Sequence, residues 1–160
     1  MTSYPIDIRL NDEYISVGPV ALVLRGSPVD NLLHALGKAD RILPIMYNNA
    51  LVNTLYIYDH LGIRFWAKGD IVSELQIVFE TEQRETFPTY SFIGPLDYKG
   101  NILLPPVSNN VLVSSDLTGF VQDTDKLQYN RQVYIDETPL VKYTVLISND
   151  TSNVKYISIS

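Results

Sequence analysis

At 160 residues and 46% hydrophobic content, the chain can bury one good core and is too apolar for intrinsic disorder. A formal net charge of −6 argues against a nucleic-acid backbone as ligand and favours a basic protein partner. The absence of cysteine removes disulfides, thiolate chemistry and cysteine metal sites.

The first residues show no basic segment followed by an apolar run. No apolar stretch reaches the roughly 18 residues that a spanning helix needs, so a soluble, cytoplasmic protein without membrane contact is expected. Residues 6–10 and 14–17 read as strands around Asn11-Asp12-Glu13, and residues 20–24 as a further apolar piece after Gly18-Pro19. A helix follows: Ser27 suits the N-cap, Pro28 the first helical position, and Asp30 the positive end of the dipole. Val29, Leu32, Leu33 and Leu36 form one apolar stripe, with Asn31 and Lys38 outside it and Gly37 as C-cap. So short a helix needs docking, and the apolar face of the next segment is the expected dock. Residues 40–53, with Pro44 and three asparagines, read as a loop.

Residues 55–80 are the centre of the chain. Three runs of period-two alternation are joined by turns at Asp59-His60-Leu61-Gly62 and Lys68-Gly69-Asp70, the pattern of an antiparallel meander. Its core face is expected to carry Leu55, Ile57, Ile63, Phe65, Leu75, Ile77 and Phe79, and its other face Tyr56, Tyr58, Arg64, Trp66, Lys68, Glu74 and Gln76. Residues 80–91 are charged and then proline-containing, the composition of a linker. Beyond it, strands are expected at 90–93, 102–104, 132–135, 140–147 and 154–159, with a turn at 98–101 and a stop at Pro105-Pro106. One helical turn capped by Ser115-Asp116 and ending at Gly119, and a polar loop over 122–126, lie between.

The fold class is therefore α+β: strand-dominated antiparallel sheet or sheets with one clear short helix in a single domain, 1–160. Residues 4–80 and 90–160 match in order, with Tyr56-Ile57-Tyr58-Asp59 against Val133-Tyr134-Ile135-Asp136. A duplicated ββαβββ unit and one continuous sheet without repeat ancestry both fit this pattern.

Catalytic signals are weak. His34 and His60 lack ligand spacing, and no glycine begins a nucleotide-binding or nucleophile-elbow motif. Asp59 and Asp136 end strands where aspartate commonly caps turns; a hydrolase built on either needs a deep polar pocket beside it. Glu80, Glu82 and Glu85 read as a solvated face or a rim for a basic partner. No catalytic residue, metal or cofactor is expected. The partner-binding candidates are Tyr56, Tyr58, Arg64, Trp66 and Glu74, since tyrosine, tryptophan and arginine dominate interface energetics. The alternative is that this face is covered and forms a second core.

Leu36-Gly37-Lys38-Ala39-Asp40-Arg41, Tyr56-Ile57-Tyr58-Asp59-His60-Leu61-Gly62-Ile63 and residues 72–79 together resemble an uncharacterised family of small bacterial α+β domains. Those domains carry a Leu-Gly-x-Pro helix end, an aromatic-Asp-x-Leu-Gly-Ile turn and a closing hairpin; some lie in toxin–immunity and secretion-system loci. The resemblance covers residues 14–80 and departs at Ala39, where proline is usual. It implies a bacterial source and a binding role. With no catalytic constellation, no cysteine, an acidic balance and a Tyr/Trp-rich sheet face, the expected function is that of an immunity protein that neutralises a toxin by occluding its active site. Assembly through sheet edges is the alternative.

Overall fold

The computed structural model describes residues 6–108, 121–122 and 132–160. The helical turn expected to end at Gly119 and the loop expected over 123–126 lie outside these residues. Near the start, β1 (Ile8–Leu10), β2 (Ile15–Val17) and β3 (Val20–Leu22) form a small meander, followed by α1 (Val29–Leu36). A longer meander comes next: β4 (Arg41–Tyr47), β5 (Ala50–Tyr58), β6 (Ile63–Lys68) and β7 (Ile71–Val78). Then come β8 (Leu96–Tyr98), β9 (Asn101–Leu103), β10 (Val121–Gln122), β11 (Gln132–Glu137), β12 (Lys142–Ile147) and β13 (Val154–Ile159).

These strands make two sheets, of order β3-β2-β1-β8-β9 and β10-β11-β12-β13-β7-β6-β5-β4. Pairing is antiparallel except between β1 and β8, so the fold is α+β and strand-dominated, with one short helix among the described residues. Both sheets draw strands from both halves of the sequence. The large sheet joins them through β7 and β13, the small one through β1 and β8.

The sheets share one apolar core. Ile8, Leu10, Ile15, Val17, Leu96 and Tyr98 of the small sheet meet Phe65, Leu75, Ile77, Tyr143, Val145 and Ile157 of the large one. Burying each such side chain contributes roughly 1.5–3 kcal/mol. The helix closes one side with its expected stripe: Val29 and Leu32 are buried, and Leu33 and Leu36 pack against the core. Its N-cap is Pro28, one residue later than expected, and Ser27 caps nothing. The helix start is fixed instead by backbone bonds to the β6–β7 turn and the start of β7, Val29 N to Asp70 O (2.8 Å) and Val72 N to Ser27 O (2.9 Å). Gly37 is the C-cap, its N–H donating to Leu33 O.

Four expectations about the strands are corrected. Residues 40–53 are not a loop but contain β4 and the start of β5, turned at Asn48-Asn49, both at positive φ. That is the conformation a two-residue hairpin turn demands, and asparagine supplies it; Pro44 is tolerated because β4 is an edge strand. Residues 90–93 form no strand, and Gln122 belongs to β10. The fourth correction is register. Tyr56 pairs with Phe65, Tyr58 with Ile63, Leu55 with Trp66 and Ile57 with Arg64. Tyr56 and Tyr58 therefore share the inter-sheet face with Phe65 and Ile63, while Leu55 and Ile57 share the outer face with Trp66 and Arg64. Tyr56 stacks on Phe65 at 4.6 Å, and the buried Tyr58 hydroxyl donates to Gly37 O at 2.8 Å.

The turn before β6 is sterically critical. Gly62 has φ +69, and a Cβ there would sit 2.1 Å from the Phe92 backbone nitrogen; Gly69 has φ +60 with nothing within 4 Å. Both substitutions bear the left-handed backbone cost, and only Gly62 adds a clash with backbone. Gly69→Ala should cost about 1 kcal/mol and Gly62→Ala on the order of 3 kcal/mol or more, read from urea unfolding midpoints. Equal costs would contradict the close approach.

Candidate functional site

The outer face of the large sheet is organised around Arg64, which is only 5% exposed. Its Nε donates to Gln76 Oε1 at 2.9 Å and its Nη1 to Thr86 O at 2.6 Å. The guanidinium lies 3.9 Å from the Phe87 ring and 4.7 Å from the Trp66 ring. Gln76 Nε2 passes the polarisation to Glu74 Oε1 at 3.1 Å, and Ser158 Oγ also donates to Glu74. Among the described residues no carboxylate oxygen lies within 4 Å of Arg64. A buried charge without an ion-pair partner is costly, and burial pulls its pKa down to about 10. It stays protonated at neutral pH. Aromatic stacking and the planar fork are what make arginine, rather than lysine, tolerable there.

What covers Arg64 is the segment 80–91. It is not a solvated linker but a strap laid across the outer face and held mainly through its backbone. Arg41 Nη1 donates to Glu85 O (2.6 Å) and Nη2 to Phe87 O (2.9 Å). Arg41 also forms a two-pronged pair with Asp59, at 2.9 and 2.8 Å. Asp59 Oδ1 in turn accepts the Thr89 amide at 2.8 Å and the Thr89 hydroxyl at 3.0 Å. Glu82 pairs with Lys155 and Arg84, and Glu80 accepts from Ser148 (2.8 Å) and Thr151 (2.7 Å). Phe87 is the strap's buried apolar anchor.

Between strap and the β12–β13 hairpin lies a polar cleft of about 390 Å³, lined by Arg64, Arg84, Lys155, Glu82, Phe87 and Tyr156 among others. The side chain of Arg84 is 73% exposed and that of Lys155 17%. The Lys155 hydrogen bond holds the Glu82 carboxyl below the usual carboxylate range.

A second polar knot joins the sheets at one end. Asp136, which is buried, accepts from the Tyr98 hydroxyl and Lys99 Nζ. Tyr98 sits edge-on to Tyr143, whose hydroxyl donates to Asn11 O at 2.7 Å. Burial, and then the Asp136 contact, push the Tyr98 hydroxyl well above its ordinary range.

These contacts settle where the sequence candidates lie. Arg64, Trp66 and Glu74 share the outer face, with Trp66 half-buried beside Arg64. Tyr56 and Tyr58 do not join them. Neither Asp59 nor Asp136 caps its own turn; each accepts from residues distant in sequence, Asp59 from Arg41 and Thr89 and Asp136 from Tyr98 and Lys99. Of Glu80, Glu82 and Glu85, only Glu85 is exposed. His34 and His60 are both exposed, His60 stacking on Tyr90 at 5.8 Å. No group of three or more His, Cys, Asp or Glu gathers among the described residues, and no described helix is long and apolar enough to cross a membrane.

One surface was missed. The β4–β5 hairpin extends past the cover of the small sheet, leaving Ile42, Met46, Tyr47 and Leu51 between 54% and 70% exposed. The register Ile42–Tyr56, Pro44–Thr54, Met46–Leu51 puts Ile42, Met46 and Leu51 on one side. Residues 42–58 carry no charged side chain, the signal that identifies this arm in the sequence.

Fold and site together define a class: a two-sheet α+β domain with a strapped outer face and a projecting apolar hairpin. The chain belongs to the family described as a domain of unknown function (DUF7738), whose model matches residues 7–110. That span includes the arm, Arg64 and the strap, and ends before Lys155 and Tyr156. No curated protein sequence matches the chain. A cysteine-rich secretory protein from Staphylococcus aureus subsp. aureus Mu50 superposes with a TM-score of 0.43 at 9% identity, over 85% of this chain and 42% of that one. The chain thus spans less than half the length of that protein.

The strap clamp has a pH signature. The Arg41 bond, with help from Thr89, lowers the Asp59 pKa from 3.8 to about 2. A carboxylate depressed in the folded state stabilises above its unfolded pKa and loses that contribution as pH falls through its folded value. Asp59 should therefore contribute about 1–2 kcal/mol near neutrality, discounted for the partly exposed Arg41, and lose it between about pH 4 and 2. The stability gap between wild type and Asp59→Asn, from urea unfolding at each pH, should close over that window. A gap constant from pH 7 to 2 would contradict the pairing.

Proposed function

We propose that this chain is a cytoplasmic, non-enzymatic protein-binding module, and more finely an immunity protein that neutralises a bacterial toxin or effector by covering its active site. The observation that carries the binding role is the β4–β5 arm, whose exposed Ile42, Met46, Tyr47 and Leu51 sit on a stretch without charge in a chain of net charge −6. Contiguous exposed apolar surface rimmed by polar residues is characteristic of protein interfaces. Tyrosine and methionine are among the residues enriched there. The acidic remainder favours a basic partner, steering its approach while the neutral arm makes the desolvated contact. The resemblance of residues 14–80 to domains from toxin–immunity loci supports the finer reading.

A second reading has its own observation. β4 is the terminal strand of the large sheet, and beyond Arg41 its outer backbone edge is guarded by Pro44 but by no charge. Such an edge can pair with another copy, giving an assembly subunit.

Co-expression with the product of the adjacent gene tests the first reading. The wild type should co-purify with that product and abolish its activity. Met46→Lys with Leu51→Lys should weaken the complex at least about 30-fold, near 2 kcal/mol, while unfolding free energy changes by less than about 1 kcal/mol. Undiminished binding by the double variant would overturn the role of the arm. A large symmetric oligomer of the isolated chain in sizing chromatography would favour assembly instead.

A further inference from the structure

The cleft beside Arg64 is a second surface, on the far side of the sheet from the exposed apolar side of the arm. Of the five N–H groups of a guanidinium, those of Arg64 that donate within the protein go to Gln76 and Thr86. Stacking on Phe87 and Trp66 and these two bonds fix the plane of the fork. The remaining donors have no acceptor among the described residues, and Arg64 lines the cleft. A rigid, buried and incompletely paired guanidinium opening on a polar cleft is a preorganised receptor for a planar oxyanion.

The charges around it select the anion. Arg64, Arg84 and Lys155 face Glu82 and Asp150, which leaves one positive charge. A monoanion neutralises that excess. A phosphate dianion would reverse it, inside a protein that is already acidic. Tyr156 and Leu146 on the wall offer apolar contact to the stem of an organic acid. The volume of about 390 Å³ admits a small acid or one chain terminus.

We infer that this cleft binds a carboxylate on the free edge of the Arg64 guanidinium, with Arg84 and Lys155 closing on it. The carboxylate comes either from a small organic acid or from the C-terminus of a peptide. The inference is independent of the arm: either surface can fail without the other.

Trp66 is the only tryptophan and sits against Arg64, so its emission reports occupancy directly. The full chain would be titrated at constant ionic strength with sodium benzoate, with inorganic phosphate, and with a short peptide bearing either a free or an amidated C-terminus. Saturable binding of benzoate or of the free-ended peptide is expected, with a Kd at or below about 1 mM and phosphate weaker. Arg84→Gln and Lys155→Met, which leave the stacked core of the site in place, should each weaken it at least about 5-fold. A preference for the free-ended peptide over its amide and over benzoate assigns the site to a chain terminus, and the reverse assigns it to free acids. No saturable response to benzoate or to the free-ended peptide up to about 50 mM, fifty times that expected Kd, would overturn the inference. So would phosphate binding more tightly than both, or wild-type affinity in both variants.

Discussion

A buried guanidinium holds the outer face of this protein together. The large sheet has two buried sides. One packs on the small sheet through ordinary apolar contact, but the other has no sheet to cover it among the described residues, and Leu55, Ile57 and Val78 are nonetheless fully buried outside the inter-sheet core. Cover comes from a strap of mostly polar residues, which has only Phe87 as a large apolar anchor. The strap is held because Arg64 and Arg41 donate to the carbonyls of three successive residues, Glu85, Thr86 and Phe87. Charge-assisted bonds of this kind are stronger than neutral ones. The cost is a cation buried at the sheet centre, offset by stacking and by the relay through Gln76 to Glu74.

Much of this was legible in the sequence. The helix stripe, the glycine turns and three of the four strands of the first long meander follow from periodicity and turn chemistry, which report local structure faithfully. Register was not legible, for a physical reason. Period-two reasoning assigns faces by asking which alternate set is apolar, and at the middle of β5 both sets are apolar because both faces are buried. Leu55 and Ile57 then look like natural companions of Ile63 and Phe65. The turn between Tyr58 and Ile63 instead places Tyr56 and Tyr58 there, and a one-residue difference moves every side chain.

The strap escaped for a related reason. Its attachment uses backbone carbonyls, which every residue possesses, so the composition of 80–91 could only suggest a linker. Asp59 and Asp136 likewise acquire their partners from residues far along the chain, and turn-capping was the local reading available. The β4–β5 arm was obscured by its asparagines and proline. Both are compatible with a hairpin on an edge strand, and the lack of charge over residues 42–58 is the feature that sets it apart.

These features divide the molecule into regions of different chemistry and use. The inter-sheet core and the Asp136 knot set the scaffold, while the arm and the cleft present unlike chemistry: uncharged and apolar on one, cationic within an acidic chain on the other. Both depend on the same meander, since β5 carries the arm and pairs with the strand that carries Arg64. The claim beneath all of this is that Arg64 is charged, buried and held in one orientation. Solvent exchange of its Nε–H, followed by nitrogen-edited NMR at neutral pH with Arg84 as internal reference, tests that claim most directly. The structure predicts exchange much slower than at Arg84, with the two Nη groups resolved by hindered rotation. Exchange as fast as at Arg84, with averaged Nη signals, would contradict it.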